Sequence, residues 1–145
     1  RIMADVPRAV TATRRAKKLQ KRADSVGVDW LGTDVEYKKI EENIKAVNAA
    51  VSQTDTLKVT NSEPTDSGQS LPSSQVSDEI GDLIFSVIDL ARHLKVDPET
   101  ALRQANHRFE QRFLCLEDTT DNHQTTIAAE SLAKLALWWQ SSENQ

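Results

Sequence analysis

Apolar residues return every three or four positions along most of this chain, the period of helices that bury one face. Ala9, Ala12, Ala16, Leu19 and Ala23 keep that spacing until Gly27 supplies a stop, and Pro7 suits the first turn of such a helix. A second helix is predicted to start at Thr33 or Asp34, where Ile40, Ile44, Val47 and Val51 form a narrow apolar stripe with a wet face opposite. Ser77 can cap a third, which runs to His93 with Ile80, Leu83, Ile84, Val87, Ile88 and Ala91 apolar. Asp97-Pro98 opens a fourth carrying Leu102, Ala105, Phe109, Phe113 and Leu116, and Thr125 or Thr126 can cap a last helix ending near Trp139. No segment alternates strongly enough to argue for a sheet. The expected fold is all-α, with four to five helices.

Between the second and third helices the pattern stops. From Ser52 to Ser74 the residues are mainly Ser, Thr, Pro, Gly, Asn and Gln, with few apolar anchors. Such a stretch cannot offset the entropy of being fixed. It is read as a flexible insertion, 52–74, within a single domain spanning 1–145. With 38% hydrophobic residues among 145, the chain can bury a working core, yet helices of this kind leave apolar faces that a second copy would cover. A homodimer is therefore expected.

Charge and composition remove several function classes. A net charge of −4 argues against a general nucleic-acid binder, whose affinity comes from neutralising phosphates. The run Arg14, Arg15, Lys17, Lys18, Lys21, Arg22 lies mostly off its helix's apolar stripe and reads as a solvated face. No apolar run approaches the roughly 20 residues that cross a bilayer, and the first residues are not a secretory signal. The lone Cys115 excludes an internal disulfide framework and fits a reducing, cytoplasmic setting. Four scattered glycines exclude a phosphate-binding loop or a dinucleotide fingerprint, and His93, His107 and His123 lack metal-ligand spacing.

The residues that carry chemistry open the third helix. In Asp78-Glu79-Ile80-Gly81-Asp82, Glu79 and Asp82 stand three apart and share a helix face. Two carboxylates there call for a partner. A hard divalent cation such as Mg²⁺, which takes oxygen ligands and keeps waters and substrate phosphates in its other positions, meets that need. The bland reading is that both acids favour the first helical turn, facing the positive end of its dipole.

The stretch Glu79-Ile80-Gly81-Asp82-Leu83-Ile84-Phe85, with Leu90-Ala91-Arg92-His93-Leu94 and Ala105-Asn106-His107-Arg108-Phe109-Glu110-Gln111-Arg112-Phe113 after it, resembles the MazG-type nucleoside triphosphate pyrophosphohydrolases. Upstream, Arg15-Ala16-Lys17-Lys18-Leu19-Gln20-Lys21-Arg22-Ala23 and Val26-Gly27-Val28-Asp29-Trp30 are similar to the segment that opens that family's second, C-terminal domain. The resemblance implies a helical bundle completed by dimerisation and Mg²⁺-dependent hydrolysis of nucleoside triphosphates to monophosphate and diphosphate. It also implies a housekeeping role in removing non-standard or excess nucleotides. On the same ground the chain is expected to be the C-terminal half of a larger protein, whose N-terminal MazG domain is missing here.

The resemblance assigns Glu79 and Asp82 as catalytic metal ligands, and Asn106, Arg108, Arg112 and Trp139 as substrate-binding residues. It also implies an acidic cluster, Glu-Glu-x-x-Glu, on the second helix. Aligned on Lys39, Ile40, Ile44 and Val47, that cluster falls on Glu42, Asn43 and Ala46, so one carboxylate of three survives and Asn43 offers a neutral oxygen. The lysine expected four residues after Trp139 is Glu143, a charge that would repel phosphate. A weakened Mg²⁺ site follows. Two readings stand side by side: a working pyrophosphohydrolase domain, or a catalytically impaired dimerisation and nucleotide-binding partner of an active N-terminal domain.

Overall fold

A computed structural model describes residues 1–28, 33–60 and 73–144, the side chains of 33, 54–60 and 144 excepted. Five α-helices follow one another: α1 Ala12–Ser25, α2 Thr33–Thr60, α3 Ser74–His93, α4 Pro98–Asn122 and α5 Leu132–Ser141. Short 3₁₀ turns at Ile127–Ala129 and Ser142–Asn144 flank α5, and no strand occurs among the described residues. The fold is all-α, as the apolar period requires. The chain divides into two compact units, Arg1–Pro98 and Glu99–Gln145.

Helix starts follow hydroxyl caps. α1 begins after Thr11, whose side chain accepts the amide N–H of Arg14 at 3.3 Å, so Pro7 lies ahead of the helix rather than in its first turn. In α3 the cap is Ser73, accepting from Val76 N at 3.2 Å, and Ser77 already sits inside the helix. Thr126 caps only the 3₁₀ turn Ile127–Ala129, and α5 starts after Ser131, which accepts from Lys134 N at 3.3 Å. α2 and α4 begin where expected, at Thr33 and Pro98. α2 continues to Thr60, inside the stretch read as an insertion, while 61–72 lie outside the described residues.

Three helices end on one device. After α1, Gly27 takes φ +86° while Val28 N donates to Ala23 O at 3.0 Å and Gly27 N to Asp24 O at 3.0 Å. This paired return to the last turn satisfies carbonyls the helix leaves open. Lys95 (φ 62°) does the same after α3 and Gln124 (φ 54°) after α4, without glycine's freedom in the left-handed region.

In the first unit α2 and α3 run antiparallel along a shared seam, and α1 packs on α3 through Gln20, whose buried amide donates to Phe85 O at 2.9 Å. The seam face of α2 carries Glu36, Asn43 and Ala50, each seven residues from the next, with Glu36 and Ala50 both 1% exposed. Ile40 and Val47 share this face as half-buried neighbours, whereas Ile44 (53% exposed) and Val51 (40%) sit on its flank. The expected stripe is thus rotated by part of a turn. On α3, Ile80, Ile84 and Val87 form an uncovered apolar row at i, i+4 and i+7. The second unit closes on itself, with Leu116 buried and the Phe109 ring 5.4 Å from that of Trp139.

Candidate functional site

Because α3 starts at Ser74, its first turn carries no acid, and the seam holds Glu79, half-buried, in the second turn and Asp82, exposed, one turn later. Across from them Asn43 Nδ2 donates to Ser86 Oγ at 2.7 Å and to the Asp82 backbone carbonyl at 3.4 Å. A carbonyl only accepts, so the amide nitrogen is fixed toward α3 and Oδ1 is the one acceptor that Asn43 keeps. Glu42 is exposed, and Ala46 adds no ligand. The resemblance placed an anionic cluster here, and the chain has an interhelical hydrogen bond in its place.

Two helical turns along the seam, seven residues from Asn43 on α2 and from Asp82 on α3, stand Glu36 and Asp89. With His93 they form the one trio among the described residues whose candidate ligand atoms all lie within 4.8 Å of one another. Glu36 Oε2 is buried with no hydrogen-bond partner. Burial, then the neighbouring Asp89 carboxylate, pushes the Glu36 carboxyl up to about 7, against the opposing pull of Lys39 and His93. Asp89 is held by Arg92, whose Nε and Nη2 both reach Oδ1 at 3.0 Å, and Arg92 Nη1 pairs with Asp24 at 3.1 Å. Burial works against the Arg92 charge, but Asp89 and Asp24 outweigh it and raise its pKa. None of these three residues stood out in the sequence: Asp89 and His93 are four apart on α3, yet their third member is more than fifty residues away.

The second unit gathers the basic residues. Arg112 Nη2 donates to Trp139 O at 2.9 Å, its guanidinium lies 4.2 Å over the Trp139 ring, and Nη1 meets Glu143 Oε1 at 3.2 Å. Glu143 therefore holds Arg112 in place, though its side chain is 61% exposed and the pair is weak in water. Arg108 and Arg112 line one side of an open hollow of about 750 Å³, shared with Phe109, Cys115 and Ser142. Asn106 is exposed on the same helix.

No family model matches the chain. It is 31% identical over 134 residues to the nucleoside triphosphate pyrophosphohydrolase/pyrophosphatase MazG of Thermotoga maritima, covering 92% of this chain and 45% of that protein. To the nucleoside triphosphate pyrophosphohydrolase of Escherichia coli it is 32% identical over 145 residues, covering 97% of this chain and 48% of the relative. The chain spans about half the length of the curated relatives it matches. Likeness carried through nearly all of its own length, on an all-α frame with Glu79 and Asp82 on α3, supports a MazG-type family for the chain.

Proposed function

We propose that this chain serves a nucleoside triphosphate pyrophosphohydrolase, converting a nucleoside triphosphate and water to the monophosphate and diphosphate, in cytoplasmic clearance of non-standard or excess nucleotides. The observation that carries the reading is its likeness to two relatives named for that activity. Glu79 and Asp82 fit a Mg²⁺ that keeps waters and phosphate oxygens in most of its positions, the usual habit of that ion. Asn43 Oδ1 and Glu42 are the further oxygens within the same segment of α2. When bound, Mg²⁺ would neutralise phosphate charge and orient the attacking water. The chain's own part is positional. Glu79 and Asp82 present carboxylates from one helical turn, the forked guanidinium groups of Arg108 and Arg112 suit phosphate oxygens, Asn106 can bond a polar edge, and Trp139 offers a stacking face.

Incubated with Mg²⁺ and a panel of nucleoside triphosphates, the purified chain is expected to yield monophosphate and diphosphate in equal amounts. Release of diphosphonucleoside and orthophosphate, or no turnover above the uncatalysed rate, would count against the reading.

The uncovered row Ile80, Ile84 and Val87 on α3 supports a homodimer, because a surface of this kind on a small helical unit needs a partner. Ile84, 54% exposed, can be changed without touching the buried interior. Light scattering is expected to show a dimer for the native chain and a monomer for Ile84→Asp. A native chain that is monomeric at high concentration would remove the proposal.

A further inference from the structure

We propose that Glu36, Asp89 and His93 form a binding site for a divalent transition ion of the Zn²⁺ class, which pins α2 to α3 two helical turns from the Glu79 and Asp82 pair. Three observations meet here. The ligand atoms of the trio already lie within 4.8 Å of one another, and bonds of about 2.0–2.2 Å would bring them to roughly 3.4 Å apart, a shift that side-chain rotation can supply. Glu36 is 1% exposed, and its Oε2 is enclosed without a hydrogen-bond donor, facing a second carboxylate. Whatever proton Glu36 shares with Asp89, this one buried oxygen is left without a donor, which such atoms ordinarily have.

The third observation is the orientation of His93. Its Nδ1 lies 2.9 Å from the Asp89 backbone carbonyl and 3.8 Å from Asp89 Oδ1, so the ring stands against the Asp89 carboxylate. Two Arg92 nitrogens reach Asp89 Oδ1 at 3.0 Å, and Asp24 balances the Arg92 charge. Glu36, Asp89 and Asp24 against Arg92 leave two negative charges, which a dication neutralises. An imidazole with two carboxylates favours Zn²⁺ and its first-row neighbours over Mg²⁺ or Ca²⁺, which prefer oxygen alone.

The test is calorimetric titration of the full chain with ZnCl₂ and, separately, with MgCl₂, at a pH near 8 where metal competes well with protons. One Zn²⁺ per chain is expected, with affinity falling at least about 100-fold in Glu36→Gln and in His93→Gln and unchanged in Asp82→Asn and Cys115→Ser. Mg²⁺ is expected not to displace it. Circular dichroism keeps the variants interpretable, and Glu36→Gln is expected to fold because it removes a buried charge. Absence of Zn²⁺ binding by the native chain would overturn the proposal. So would Zn²⁺ affinity that survives in both Glu36→Gln and His93→Gln, or that disappears in Asp82→Asn or Cys115→Ser, since the ion would then sit elsewhere.

Discussion

Asp82→Asn is expected to abolish diphosphate release by this chain, and Asn43→Glu with Ala46→Glu to raise it. The first change removes one of two carboxylates that α3 offers a cation at this end of the seam, and the exposed position of Asp82 makes it nearly free of folding cost. The second returns two anionic oxygens to α2 facing them. Hard cations are held by charge, so Mg²⁺ affinity should rise by at least about tenfold, with turnover at low Mg²⁺ following it. The structure also sets a cost. Asn43 now donates to Ser86 Oγ and to the Asp82 carbonyl, and a glutamate at 43 would bring oxygen against that carbonyl. Metal-free stability should fall by about 1–3 kcal/mol and recover on adding Mg²⁺, read as a thermal shift. A double variant with neither tighter Mg²⁺ binding nor faster turnover would show that the deficit lies beyond the ligands. Glu143→Lys would then be the next change, since it also releases Arg112 from its ion pair.

The helical class was legible because a 3.6-residue period survives in every segment that packs. Starts at Thr33 and Pro98 were legible too, since each follows a break in that period. The starts of α1 and α3 were misplaced because several hydroxyls compete to cap them, and only the local backbone decides that Thr11 and Ser73 win. Glycine announced the end of α1, whereas Lys95 and Gln124 adopt the same left-handed turn at a modest cost that leaves no compositional trace. The seam was the deeper failure. Reading burial from apolar residues placed the contact line on Ile40, Ile44, Val47 and Val51; Ile40 and Val47 do share the seam face, yet its line runs through Glu36, Asn43 and Ala50, two of them polar. Buried polar pairs across helices are specified by partners far apart in the chain, which a single-helix pattern cannot register.

Glu36→Gln is expected to stabilise the metal-free chain at pH 8 and to leave it almost unchanged at pH 5. Glu36 is 1% exposed and its carboxyl is pushed up from 4.5 to about 7, first by burial and then by Asp89. The folded state therefore binds this proton more tightly than the unfolded chain does. The sign follows from that difference: between about 4.5 and 7 the native protein carries the proton and the unfolded one sheds it, so stability falls as pH rises. Its contribution is whole below 4.5 and lost by the time pH passes 7. A shift of this size corresponds to about 3 kcal/mol, an order-of-magnitude figure for so closely paired a group. Asp89, His93, Lys39 and Arg92 are the charged or titratable neighbours, and positive charge on Lys39 and His93 favours the ionised Glu36 and blunts the slope. Glutamine keeps the shape, does not ionise, and can donate to Asp89 in place of the shared proton. Denaturant unfolding across this pH range should show a falling midpoint for the native chain and a flatter line for Glu36→Gln, the two separating above neutrality. Parallel lines would mean that Glu36 titrates as an ordinary carboxylate and that the seam admits water.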